Sequence, residues 1–166
     1  MILKIEKREI RMDDLQYRYA GQKDIPAIVE LLHANNLPYG DISKHINNFL
    51  IAERNDRLTG VIGLEITGET ALLRSLAVSK TERSKGIGLV LINKLFSLAL
   101  LSNIKTLYLL TTTAEEYFLK HGFIKIKREA VPEGIKNTKE FSSICPDSAV
   151  CMMKKVKIGV HTDTID

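Results

Sequence analysis

A chain of 166 residues with 45% hydrophobic content is long enough to bury one full core without disulfide or metal staples. Its formal charge of +4 comes from 24 basic residues set against 20 acidic ones, dispersed along the chain with only 6% aromatics; this speaks against a nucleic-acid partner and suits a polyanionic small ligand. Cys145 and Cys151 form no CxxC and have no histidine pair nearby, so neither a zinc site nor a disulfide framework is signalled, and no apolar run reaches the length of a membrane span. The expectation is a cytoplasmic protein with no membrane partner and no metal.

Residues 1–16 read as an N-terminal extension with no assigned function. Tyr17 to Ala20 is a short strand. Asp24 is placed to cap a helix with Pro26 in its first turn and Ile25, Ile28, Val29 and Leu32 on its buried stripe, ending at Asn35-Asn36. Asn36 to Asp41 is turn-rich, and Ser43 to Asn48 reads as a short second helix. Phe49 to Arg54, Gly60 to Ile66 and Ala71 to Val78 form a three-strand meander, joined through Asn55-Asp56 and through Thr67 to Thr70. A long helix follows, with apolar residues at Leu89, Ile92, Leu95, Phe96 and Ala99. Thr106 to Thr111 is another strand, Ala114 to His121 a short helix closed by Gly122, and Phe123 to Lys127 a strand. Residues 129–147 read as a long polar connection, Ala149 to Val156 as the last strand, and 157–166 as a polar tail. The order is β-α-α-β-β-β-α-β-α-β-β, an α/β (α+β) domain over residues 17–156 with a mixed, mostly antiparallel sheet.

Between the third meander strand and the long helix lie Arg83, Ser84, Lys85, Gly86, Ile87 and Gly88. Glycines let a ligand approach the backbone, and a helix N-terminus supplies unpaired N–H groups and a favourable dipole for phosphate. The loop lacks the third small residue of the dinucleotide fingerprint, where Leu91 stands, and the Gly-Lys-Ser/Thr of the P-loop. A tight strand-to-helix turn without any ligand is the bland alternative for these residues on their own.

The pattern R-x-x-G-x-G between a buried strand and a helix, together with the element order from Tyr17 to Val156, resembles the GNAT N-acetyltransferases. The strings VIGLE (61–65), ALLRSLAV (71–78), LYLLTTTA (107–114) and EFSSICPDSAVCM (140–152) look like one branch of that family, the arsenic-resistance enzymes that acetylate arsinothricin or phosphinothricin. N-acetylglutamate synthase-like domains share the scaffold. The resemblance implies an acetyl-CoA co-substrate whose pantetheine arm pairs with the backbone of Leu76, Ala77 and Val78 and whose pyrophosphate rests on residues 83–88, with Thr111 and Thr112 also at the cofactor. It implies the backbone N–H of Val78 as oxyanion donor and, as the family's habit, a homodimer. Family members carry a tyrosine in a string like FYxKxGF; here YFLKHGF puts Phe118 in its place and Tyr117 one residue earlier, about 100° away around a helix. Tyr117 reads more readily as a core aromatic than as an acid.

Acetyl transfer to an amine needs a proton acceptor and donors for the developing oxyanion. Glu65, ending an apolar strand, is the first candidate base, and His45 the second. If Gly68-Glu69 is a two-residue hairpin turn, Glu65 faces Leu72 and shares its face with Arg74. The two charges then either receive the ammonium and carboxylate of an amino-acid acceptor or form a structural ion pair. Ser75 joins them only through a β-bulge. The reading is a transferase acting on the α-amine of a small amino-acid-like substrate; a non-catalytic acyl-CoA-binding module is the competing class. For Cys145 and Cys151, a loop thiol and a buried small hydrophobe outweigh a soft-ligand site.

Overall fold

The computed structural model describes residues 14–144 and 147–157. Strands β1 (Leu15–Tyr19), β2 (Phe49–Arg54), β3 (Arg57–Thr67), β4 (Thr70–Val78), β5 (Thr106–Thr111), β6 (Ile124–Ile126) and β7 (Val150–Lys155) build one seven-stranded sheet in the order β1-β2-β3-β4-β5-β7-β6. Every neighbouring pair is antiparallel except β4 with β5. Helix α2 (Ile87–Leu101) crosses one face, where Leu91, Ile92, Leu95 and Ala99 pack on Leu50, Ile62, Leu64, Leu73 and Leu107. Helix α1 (Ile25–Ala34) covers the other, with Ile28, Leu31 and Leu32 against Phe49, Ile51, Val61 and Ala77. Helices on both faces of a mostly antiparallel sheet are what the element order led us to expect.

Several boundaries differ for physical reasons. The first strand starts at Leu15, inside the segment read as an extension, because Leu15 and Gln16 pair with Arg54 and Glu53. Asp24 precedes α1 but does not cap it: its carboxylate accepts the Gly21 N–H at 2.8 Å and both terminal nitrogens of Arg18. Instead of a short second helix, Ile42–Lys44 and Ile46–Asn48 are two single 3₁₀ turns, each sinking one isoleucine into the core. The stretch read as a polar connection is structured, with a 3₁₀ turn at Arg128–Ala130, helix α4 (Glu133–Lys136) and a π turn at Glu140–Ile144. Val131 and Ile135, four apart, are the buried anchors there, packed with Leu72 and Cys151. Charged neighbours dilute that short apolar signal. Helix α3 (Glu115–Lys120) is as expected.

Two features of β4 shape the site. Its register against β3 slips between the Val61–Ala77 and Gly63–Arg74 pairs, so one extra residue, Ser75, bulges with φ of 61°. The bulge resets the alternation: Leu72 and Arg74 before it and Ala77 after it share the α1 face, while Leu76 and Val78 pack toward α2. Second, β4 pairs with β5 only from Thr70 to Leu72, opposite Thr106 to Tyr108. Beyond that point the two strands part.

Candidate functional site

Where β4 and β5 part, the sheet opens into a cavity of about 610 Å³. Leu73 to Leu76 line it from β4, Leu109 to Thr113 from β5 and its following loop, and Asn35 to Pro38 from the end of α1. A second cleft of about 410 Å³ runs along Leu76, Ala77 and Val78 to Arg83, Ser84, Gly86, Ile87 and Gly88. Leu76, Arg83 and Tyr117 line both spaces. They form one continuous site with two compartments.

The second compartment gathers most residues read from the sequence as cofactor-binding. Gly86 sits at the N-terminus of α2 with φ of 85°, a left-handed conformation that favours glycine, and no side chain caps the helix there. Gly88 is already helical and earns its place differently. A Cβ built on it would lie 3.1 Å from the Tyr117 hydroxyl; of the two glycines Gly86 alone has a positive φ. Arg83 donates through Nε to the Val78 carbonyl at 3.3 Å and through Nη2 to Asn35. Lys85 stands outside the cleft lining, its ammonium 3.5 Å from Glu82. Thr111 and Thr112 line the larger cavity instead of this cleft. An open helix N-terminus beside Arg83 and Ser84 suits the pyrophosphate of acetyl-CoA.

Behind the larger cavity, Arg74 is buried with no exposed side chain and is surrounded by carboxylates. Asp41 holds it in a fork at 2.6 and 2.7 Å, Glu140 stands 3.0 Å from Nε, and Glu65 3.2 Å from Nη1. Burial opposes charge on the guanidinium, yet hydrogen bonds to Asp41 and the surrounding carboxylates raise its pKa above the ordinary value. Burial likewise pushes the Asp41 carboxyl up, and Arg74 more than reverses this, leaving it below the usual carboxylate range. Ser75, brought round by the bulge, comes within 3.3 Å of Arg74 Nε.

Glu65 does face Leu72 across the hairpin, as the turn length implied. Its carboxylate lies 3.4 Å from His45 Nε2, and neither residue lines either compartment. Asp41, His45 and Glu65 each offer a ligand atom within 4.8 Å of the others; the Arg74 guanidinium already lies against both carboxylates and supplies positive charge there.

Tyr117 corrects the sequence reading. Phe118 is the core aromatic, buried with Phe123, while Tyr117 is 37% exposed and lines both compartments. Burial of its hydroxyl raises its pKa. One position of helix rotation was the available signal. Asp41 and Glu140 carried no sequence signal, being 33 and 66 positions from Arg74 in the chain. Cys151 is buried in β7 and its thiol pKa is raised by burial, which suits a small hydrophobe; Cys145 lies outside the described residues.

Residues 45–125 match the family model described as an acetyltransferase (GNAT) domain. Over 112 residues, 67% of this chain and 70% of the relative, the sequence is 28% identical to an uncharacterized N-acetyltransferase of Chlorobaculum tepidum. The fold is similar to N-acetylglutamate synthase of Neisseria gonorrhoeae, solved with coenzyme A and L-arginine, at a TM-score of 0.76, with 23% identity and 89% of this chain covered. This chain spans 34% of that synthase. A Mycobacterium tuberculosis protein solved in complex with CoA is also similar, with a TM-score of 0.72, 22% identity, and 86% and 99% of the two chains covered. Among the described residues no helix is long and apolar enough to cross a membrane. The matched residues run from the turns before β2 through the splayed β4–β5 pair to β6; over them the chain is similar to the acetyltransferase (GNAT) domain, and its seven-stranded sheet with helices on both faces is the GNAT fold.

Proposed function

We propose that the protein moves an acetyl group from acetyl-CoA to the α-amine of a small amino-acid-like acceptor held in the larger compartment. The observation that carries this is the joining of the two compartments at Leu76, Arg83 and Tyr117. A thioester threaded along Leu76 to Val78 would present its carbonyl at that junction. The acceptor approaches from the β4–β5 opening.

In the step itself the neutral amine nitrogen attacks the thioester carbonyl carbon, the C–S bond breaks, and CoA leaves as a thiolate that takes up a proton. The amine's own proton passes to solvent or to a base. The Val78 N–H is the proposed donor to the developing oxyanion. Tyr117, with its hydroxyl beside Gly88, is the proposed proton donor to the thiolate in place of Phe118. Glu65 and His45, set behind Arg74, serve this reading as members of the cluster that holds the cavity wall.

Phosphinothricin and arsinothricin are the proposed acceptors, on the strings shared with that branch. L-glutamate is the second, favoured by the likeness to N-acetylglutamate synthase. A cytoplasmic location and a homodimer go with the same proposal. The test is release of CoA from acetyl-CoA with phosphinothricin, L-glutamate and the other proteinogenic amino acids. Acetyl-CoA binding with no release by any of them would leave a non-catalytic acyl-CoA-binding module.

A further inference from the structure

We infer that Asn35 is a positioning residue for the co-substrate: its side-chain amide aims the Arg83 guanidinium at the pyrophosphate of acetyl-CoA and, being uncharged, leaves that guanidinium unneutralised. This rests on the transferase reading above. Arg83 lines both compartments. Its two bonds within the protein go to uncharged oxygens, from Nε to the Val78 carbonyl and from Nη2 to the Asn35 amide, and Nη1 takes part in neither. Arg54 and Arg74, by contrast, lie against carboxylates. Glu82 precedes Arg83 in the chain and lines the same cleft, but its carboxylate meets Arg54 at 3.2 Å and Lys85 at 3.5 Å. Among the described residues no carboxylate pairs with Arg83.

The end of α1 makes Asn35 a rigid support. Asn36 follows it in the left-handed region with φ of 56°. The Asn36 N–H donates to the His33 carbonyl at 3.1 Å and the Leu37 N–H to the Leu32 carbonyl at 2.9 Å, and these two bonds close the helix in a Schellman turn. The Asn35 side chain is fixed as well, since its Nδ2 donates to the Leu31 carbonyl at 2.8 Å. Arginine only donates, so the amide must turn its oxygen to Arg83 and its nitrogen to the carbonyl. An aspartate in this place would set a carboxylate oxygen against the Leu31 carbonyl and would neutralise the guanidinium. Held by neutral acceptors instead, Arg83 keeps its charge for a phosphate oxygen, with which an arginine makes its strongest hydrogen bonds. The place for that phosphate adjoins it: α2 opens its N-terminus at Gly86, three residues beyond Arg83 in the same cleft.

The experiment titrates acetyl-CoA into the wild type, Asn35→Ala, Asn35→Asp, Arg83→Ala and the variant carrying both Asn35→Asp and Arg83→Ala. S-acetylpantetheine, which has the thioester arm without the phosphates, is measured by competition. Asn35→Asp should raise the acetyl-CoA Kd by roughly tenfold or more and Asn35→Ala by about threefold, because the first neutralises Arg83 and the second only releases it. Binding of S-acetylpantetheine should stay within about twofold in both, and Asn35→Asp should add nothing once Arg83 is replaced. A merely structural role at the end of α1 would weaken both ligands alike and would persist in the double variant. Either result overturns the assignment, as does an unchanged acetyl-CoA Kd in Asn35→Asp; if that variant does not fold, the same cycle is run with Asn35→Ala. A raised KM for L-glutamate or phosphinothricin at unchanged acetyl-CoA affinity also overturns it, by giving Arg83 to the acceptor's carboxylate. A wild type that does not bind acetyl-CoA overturns the transferase reading itself, and the role of Asn35 falls with it.

Discussion

The two compartments of the site are made of different material. The proposed cofactor cleft is mostly one local segment, 76–89, with three residues at the end of β4, a left-handed Gly86 and the first turn of α2, joined by Tyr117 from α3. The proposed acceptor cavity is backed by side chains from far-apart segments: Asp41 from the turns after α1, Glu65 from β3, Arg74 from β4 and Glu140 from the β6–β7 connection converge on one buried point, and of these Arg74 and Glu140 line the cavity. A co-substrate that is the same for every member of a family can be met by a local backbone shape. An acceptor that differs between members is met by parts that can be exchanged one at a time.

The contrast breaks most visibly at Arg74. Arg74→Ala leaves three carboxylates buried without their cation and should cost about 3–5 kcal/mol, read as a lower melting temperature. The pH dependence should also reverse. In the wild type, Asp41 has a folded pKa below its ordinary 3.8, so its contribution is fully present above about pH 4 and fades as pH falls toward the depressed value. Without Arg74, burial raises Asp41 instead, and the variant should gain stability as pH is lowered from 7 to 5. A variant as stable as the wild type, with a raised acceptor KM, would return Arg74 to substrate recognition.

The cofactor side should fail without unfolding. Gly88→Val places branched carbons where the Tyr117 hydroxyl sits and should weaken acetyl-CoA binding by roughly tenfold or more, about the worth of one charge-assisted hydrogen bond, in a calorimetric titration. Unchanged affinity would remove this loop from the cofactor site.

Smaller effects sharpen the junction. Tyr117→Phe should lower kcat by about tenfold with acetyl-CoA affinity kept; a general acid usually supplies more, but a thiol with a pKa near 8.5 leaves readily as thiolate. Loss of kcat in Phe118→Leu alone, with Tyr117→Phe at full rate, would reverse that assignment. Glu65→Gln should be milder still, with kcat within about tenfold and stability lower by about 1–3 kcal/mol through its Arg74 bond. A loss of about a hundredfold in kcat at unchanged melting temperature would restore Glu65 as the base.

How much of this was legible in the sequence follows the same division. The sheet, α1, α2, the hairpin register that sets Glu65 opposite Leu72, and the glycine loop are local patterns, and each is where its period or turn chemistry placed it. The bulge at Ser75 was legible only as the condition for Ser75 to join Glu65 and Arg74, since no residue type there requires φ of 61°. Asp41 and Glu140 were invisible because an acidic residue in a polar loop looks the same whether it meets water or a buried arginine. Tyr117 was misread because its side is set by the orientation of a six-residue helix, which docking decides. The structured connection before β7 hid behind its charges, with Val131 and Ile135 as its apolar anchors.

Amide hydrogen exchange with and without acetyl-CoA tests the division of labour between backbone and side chains most directly. The account predicts slowed exchange at Leu76 to Val78 and from Arg83 to the first turn of α2, with the amides of Asp41, Glu65 and Glu140 unchanged until an acceptor is added. Protection that is missing from residues 76–88, or that appears first around Asp41 and Glu140, would contradict it.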